Sequence, residues 1–191
     1  FFASALKDTT ILNATVLVNT TPIFSMLMST FIFKVKPSRL AAIGLAVSFI
    51  GPVIAYAETT TASAQYVGPS PSLKGDLEAV LAALVIAFYL SYGRKMRSQM
   101  TMLSVMFPVY NLASIIAGLL GMSMTSKMLT LPTNAKVILP LIGLGVLPTA
   151  VAHTLYFSSL SNLKSFETAT MALIEPIGAT LLGIILFQEI P

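Results

Sequence analysis

The sequence predicts an all-α integral membrane protein, a multi-helix bundle of inverted five-helix repeats. Three observations carry that prediction: too little charge for a water-facing surface, six apolar runs of spanning length, and an internal repeat that sorts those runs into two halves. Of 191 residues, 55% are hydrophobic and only 9% charged, and the mean hydropathy is +0.86. Water-soluble domains carry about 25% charged residues, so a chain this poor in charge takes a bilayer as its solvent and membrane lipid as its first partner. The net charge of +4 does not signal nucleic acid, because the basic residues are scattered between apolar runs instead of sharing one face. Cysteine is absent, which excludes disulfides and thiolate chemistry. The opening FFASALKDTT has no initiator Met and no basic region before an apolar stretch. It reads as the tail of a helix, not as a signal peptide.

A helix needs about 20 apolar residues to cross a hydrocarbon core of roughly 30 Å. Six runs meet that requirement: Asn13–Phe33, Leu40–Ala57, Leu77–Gly93, Met102–Met122, Val137–Leu160 and Thr168–Phe187. The breaks between them are short and polar. The exception is Glu58–Gly75, ETTTASAQYVGPSPSLKG, a Ser/Thr/Pro-rich stretch that reads as a surface loop. Asp76 after it suits a helix N-cap, with Glu78 in the first turn against the helix dipole. Small residues recur at packing spacing at Gly44/Ser48, Ala79/Ala83/Ala87 and Ala179/Gly183, which predicts close helix contacts. Alternate loops lie on opposite sides of the membrane. One side holds Lys34, Lys36, Arg39, Arg94, Lys95, Arg97 and Lys164; the other holds Lys7, Lys74, Lys127 and Lys136. The richer side is the expected cytoplasmic one.

Residues 4–37 set above residues 158–191 without gaps match at Ser4/Ser158, Leu6/Leu160, Pro22/Pro176, Ile23/Ile177, Leu27/Leu181, Phe33/Phe187 and Pro37/Pro191. Equivalent helices then lie five apart, an odd number, so the two halves enter the membrane in opposite senses, as in many secondary transporters. On this reading residues 1–75 are the C-terminal part of the first repeat with its external loop. Residues 76–191 are the second repeat without its last helix. The chain is expected to be a fragment with about six full transmembrane helices of an expected ten.

Several stretches resemble the EamA family of the drug/metabolite transporter superfamily: NATVLVNTTPIF followed by a basic turn with proline, GDLEAVLAALVIAFYLSYGRKMR, HTLYFSSL, and ALIEPIGATLLGIILFQEIP. The resemblance implies a ten-helix inverted repeat that moves small metabolites, often outward, by alternating access in a prokaryotic plasma membrane. The family's acidic residue before the basic turn is matched by Glu189 in FQEIP, whereas the first half reads FKVKP with Val35 there. Any role of that acid therefore belongs to the second half alone.

Function is expected where polar groups are kept at membrane depth. Charged side chains at a helix centre cost about 2.5–3.5 kcal/mol on insertion scales, yet Glu175 sits about eight residues into its apolar run, directly before Pro176. A proline removes one N–H and frees the carbonyl four residues back, here that of Ala172. Such a carboxyl can bind a cationic group, exchange a proton, or serve as protonated glue between helices. Its repeat partner is Thr21, within Asn19-Thr20-Thr21-Pro22, small polar groups that can line a path or bond between helices. Thr149, His153 and Tyr156 fall at i, i+4 and i+7 on a helix that also contains Pro148. That face suits solute contact, or a neutral histidine bonded to its neighbours. Asn111 is expected to bond across helices. Tyr89 and Tyr92 suit the interface with water. No metal-ligand spacing or phosphate-cradling glycine loop occurs, so no metal or other cofactor is expected.

The function these residues predict is a secondary transporter of a small-molecule solute, with a proton and a homodimer partner left open. An intramembrane enzyme on lipid or isoprenoid substrates would need paired acids or a Ser/His/Asp set at one depth. A non-transporting scaffold predicts no central polar cavity and tolerance of substitutions at Glu175 and Asn19. Both are the weaker readings.

Overall fold

Lipid offers no hydrogen-bond partner to a peptide group, so an apolar run must bond within itself. A computed structural model of the chain describes residues 1–50, 72–124 and 134–175, together with 178, 181 and 185, and among these every regular element is helical. In chain order they are α1 (Phe2–Asp8), α2 (Ile11–Val18), α3 (Thr21–Phe31), α4 (Arg39–Ser48), α5 (Leu73–Arg97), α6 (Met102–Met124) and α7 (Ala135–Leu144). A π-helical segment (Gly145–Ala152), α8 (His153–Ser158), a 3-10 turn (Ser159–Ser161) and α9 (Ser165–Ala172) follow. Three described stretches are long and apolar enough to cross a membrane: Asn13–Phe31, Met102–Met122 and Ala135–Ser161. The 25 residues of α5 reach about 37 Å at 1.5 Å per residue. The expected runs Leu40–Ala57 and Thr168–Phe187 are represented by α4 and by α9 with its continuation. Their remaining residues, like most of the expected loop at Glu58–Gly75, lie outside the described residues.

The helices form two compact units, Phe1–Tyr92 with Leu163–Pro191, and Gly93–Asn162. In the first, α5 starts earlier than the sequence predicts. Its N-cap is Ser72, whose hydroxyl oxygen accepts from the Gly75 N–H at 3.2 Å, and not Asp76. Asp76 stands in the first turn and accepts from the Thr9 hydroxyl at 2.7 Å and the Asn13 amide at 3.4 Å. The carboxylate thus ties α5 to the α1–α2 corner, which explains why the cap falls to a serine four residues upstream. Ser72 also donates to the Asp8 carbonyl. A side chain at Gly75 would meet the Asp8 and Thr9 backbone at 2.7 Å, so only glycine lets the segments approach this closely. At the rim, Lys74 pairs with Asp8 at 2.6 Å. The hydrogen bond and then the charge of Asp8 raise the lysine above its ordinary pKa, with a smaller contribution from Glu78.

Farther along α5, Ala79, Ala83 and Ala87 are fully buried, as their spacing predicts for a close-packing face. Gly44 differs: among the described residues, nothing lies within 4 Å of a Cβ built on it. The Ser48 side chain and the Ala179/Gly183 pair lie outside the described residues.

Four buried serines join three helices. Ser25 and Ser29 of α3, Ser91 of α5 and Ser165 of α9 are each at most 4% exposed. The Ser29 and Ser165 hydroxyls lie 2.7 Å apart, Ser91 donates to Ser165 at 3.2 Å, and Ser25 and Ser91 lie 3.4 Å apart. A hydroxyl both donates and accepts, so the chain satisfies itself where neither water nor lipid can. Small side chains also let the three helices close to short distance. The first residue of α9 thereby meets the last turn of α3. At that same end the Lys164 ammonium donates to the Lys36 carbonyl at 3.3 Å. The backbone there turns through Lys34, the one non-glycine residue with positive φ among the described residues, at 55°.

In the second unit the end of α5 packs on α8. A side chain at Gly93 would fall 2.5 Å from the Phe157 ring, which is itself buried, and the Arg94 guanidinium donates to the Leu160 carbonyl at 3.2 Å. Large residues such as Leu103, Leu119, Leu139 and Leu147 remain exposed, as a lipid-facing surface requires.

Ser165→Val leaves the Ser29 and Ser91 hydroxyls short of a partner and is expected to cost about 1–3 kcal/mol, read as a lower unfolding midpoint in detergent, while Ser165→Thr keeps the bonds and loses less. Gly93→Val is expected to displace the Phe157 ring at a cost of about 1–3 kcal/mol; an unchanged midpoint would show that the ring moves freely.

Candidate functional site

Proline chemistry organises the polar residues at depth. Pro22 stands in the first turn of α3, where its missing N–H is tolerated. In a continuous helix that N–H would have bonded the Val18 carbonyl. The Thr21 hydroxyl donates to that same carbonyl at 2.6 Å, and the Thr20 hydroxyl donates to Leu17 O at 2.6 Å. The run Asn13–Phe31 is therefore two helices broken at Asn19–Thr20, with each threonine mending the backbone beside it. Thr21 and Pro22 are buried, and Asn19 and Thr20 half-buried.

The corresponding segment of the second half has the same local form. The bounds of α9, Ser165 and Ala172, each lie 154 residues after those of α2, Ile11 and Val18, the same offset as Pro176 from Pro22. Asn19–Thr20 has its equivalent in a turn at Leu173–Ile174. The Ile174 N–H reaches Met171 O at 3.1 Å, as Thr20 N–H reaches Leu17 O at 3.1 Å. Glu175 follows this turn and is exposed. Pro176 and the bend expected there lie outside the described residues. The start of α9 is set by Glu167, whose carboxylate accepts from the Lys164 backbone N–H at 2.8 Å, one arm of a capping box.

In the second unit, the helix expected at Val137–Leu160 changes type. Gly145–Ala152 is π-helical and contains Pro148. In an α-helix the Pro148 N–H would have bonded Leu144 O; the Thr149 hydroxyl donates there at 3.1 Å. The pairing repeats what Thr21 does beside Pro22. Because the wider turn interrupts the 3.6-residue period, the spacing that grouped Thr149, His153 and Tyr156 does not hold through the whole stretch. Tyr110 of α6 gathers two of these positions instead. Its hydroxyl donates to Thr149 O at 3.0 Å and lies 3.1 Å from the Thr154 hydroxyl. Its ring centroid is 6.1 Å from that of His153, tilted at 56°. Tyr156 and His153 are half-buried and Thr149 exposed.

Tyr110 was legible only as a polar residue inside an apolar run, since its partners depend on a helix type that periodicity does not reveal. Among the described residues Asn111 does not bond across helices as expected; its side chain is exposed and its amide donates to Phe107 O of its own helix at 2.8 Å. Tyr92 is exposed and stacks on Phe88 at 5.8 Å. Among the described residues no three His, Cys, Asp or Glu side chains gather at metal-binding distance.

The chemistry available is thus hydroxyl, amide and imidazole groups beside interrupted helices, with one carboxyl next to a helix break. The family model for EamA-like transporters matches residues 1–57 and 73–191. A relative in Clostridium kluyveri, described as an uncharacterized transporter, is 27% identical over 176 residues, which cover 92% of this chain and 56% of that protein. The chain thus spans about half the length of that relative. No solved structure matches. Helices built for lipid and a family match across nearly the whole chain agree: this integral membrane protein belongs to the EamA-like transporter family.

Proposed function

We propose that the protein is a secondary transporter of small organic solutes, working outward across a prokaryotic plasma membrane by alternating access, with Glu175 as a proton-binding group. Residues 1–75 and 76–191 act as the two repeats that rock against each other. One observation carries the reading: helix breaks stand at equivalent positions of the two halves, with a Thr–Pro pair after one and a Glu–Pro pair after the other. A broken helix in a transporter exposes backbone groups that a solute or ion can use. Asn19, Thr20, Thr149, His153 and Tyr156 are the solute-facing candidates on this reading.

The proton follows from chemistry already present in the first half. Thr21 always has a hydrogen to give to Val18 O. Its partner Glu175 has one to give to the equivalent carbonyl, Ala172 O, only when protonated, and Pro176 has none to give at any pH. Protonation therefore joins the segment across the break, and deprotonation releases it. The carboxylate left behind attracts a cationic or donor-rich solute. A single group thus couples proton occupancy to the stiffness of the segment that moves.

Counterflow of radiolabelled amino acids, sugars and purines into proteoliposomes containing the full-length protein identifies the solute class. With that solute, wild-type transport is expected to vary with pH and Glu175→Gln to be active but flat across the same range, since the amide keeps a donor that does not titrate. Identical pH profiles would remove the proton from the account. Thr21→Val, which cannot mend Val18 O, is expected to weaken the break by about 1 kcal/mol and to lower transport without changing its pH profile, while Thr21→Ser retains both.

A further inference from the structure

We propose that the face between α4 and α9 is a binding site for an anionic glycerophospholipid, one acyl chain lying in the groove and the phosphate held at its basic mouth. The groove has a volume of about 490 Å³, within the roughly 300–1,000 Å³ of small-molecule sites. Ala41, Gly44 and Leu45 line it from α4, and Phe166, Thr170 and Ile174 from α9. The surface is mostly apolar, with Glu167 the one charged residue among its lining. The Thr170 hydroxyl is already committed to Phe166 O at 2.7 Å, and the Glu167 carboxylate accepts from the Lys164 N–H.

The mouth has the opposite character. Both helices begin there, α4 at Arg39 and α9 at Ser165; the Glu167 carboxylate already caps the α9 N-terminus, so the basic side chains supply the positive charge at this end. Lys164 holds that end together. Its ammonium lies 5.7 Å from the centroid of the Phe166 ring, which lines the groove, and donates to Lys36 O at 3.3 Å. Among the described residues, Lys36, Arg39 and Lys164 have no acidic partner within ion-pair distance. An apolar slot whose mouth carries Lys36, Arg39 and Lys164 against the single carboxylate of Glu167 fits a molecule with an acyl tail and an anionic head. On the sidedness the sequence predicts, Lys36, Arg39 and Lys164 lie on the cytoplasmic side, where a positive-inside chain meets the anionic leaflet. Lipid in this slot would brace α9 immediately before the Leu173–Ile174 break.

Gly44 suits the test, because a Cβ added there meets no described atom within 4 Å and replacing a glycine in a helix interior costs nothing in helix propensity. The full-length protein is purified from mixed phosphatidylglycerol and phosphatidylcholine bilayers, and retained lipid is measured by native mass spectrometry. Preferential retention of phosphatidylglycerol is expected in the wild type. Gly44→Phe is expected to abolish it, and Arg39→Gln and Lys164→Gln each to weaken it about fivefold, with unfolding midpoints near that of the wild type. Equal retention of both lipids, or retention untouched by Gly44→Phe, overturns the proposal. So does a Gly44→Phe variant that unfolds or changes oligomeric state, since the groove would then be filled by another helix of the protein or by a second copy.

Discussion

A hydroxyl, amide or carbonyl inside a bilayer has no water to turn to, and the rest of this structure follows from how each such group finds a partner within the chain. The serine chain of α3, α5 and α9 is the plainest case. Four hydroxyls spend their hydrogen-bonding capacity on one another, and because serine is small, the arrangement also brings the three helices into close contact. Association between helices in lipid draws little from hydrophobicity, since lipid tails are as apolar as leucine. Packing of alanine, glycine and serine faces, stapled by short polar contacts, takes its place.

The same constraint makes the prolines informative. Each removes a backbone donor at depth, and in two instances the threonine beside it donates to the carbonyl left over: Thr21 to Val18 O and Thr149 to Leu144 O. The breaks are therefore tolerated without being erased. Glu175 stands at the equivalent of Thr21, and on the proposed reading the mending group there is an acid. A neutral side chain makes a fixed repair, and an acid makes one that depends on its proton. On the proposed reading, this contrast gives the two similar segments different mechanical behaviour.

Much of this was written in the sequence. The apolar runs, the alanine face of α5, the repeat offset of 154 and the family resemblance rest on composition and spacing, which survive whatever the local geometry does. The N-cap of α5 was misread because Asp76 is recruited by Thr9 and Asn13, more than 60 residues away in the chain, and no local pattern announces a distant partner. The serine chain was invisible for the same reason. Gly44 shares its spacing with truly packed small residues and differs only in what stands opposite. The π-helical segment eluded periodicity because Pro148 and Thr149 change the number of residues per turn. Of the candidate site, the residue types at the Thr–Pro and Glu–Pro breaks were legible, while Tyr110 as the partner of Thr149 and His153 needed coordinates.

The central claim is that Glu175 takes up a proton that Thr21 never needs. Infrared difference spectroscopy of the full-length protein in lipid bilayers, titrated with pH and compared with Glu175→Gln, tests it directly. The account predicts a protonated carboxyl band that grows as pH falls, disappears in the glutamine variant, and is unaffected by Thr21→Val. A pH-dependent carboxyl spectrum that is the same with glutamine at position 175 would contradict it.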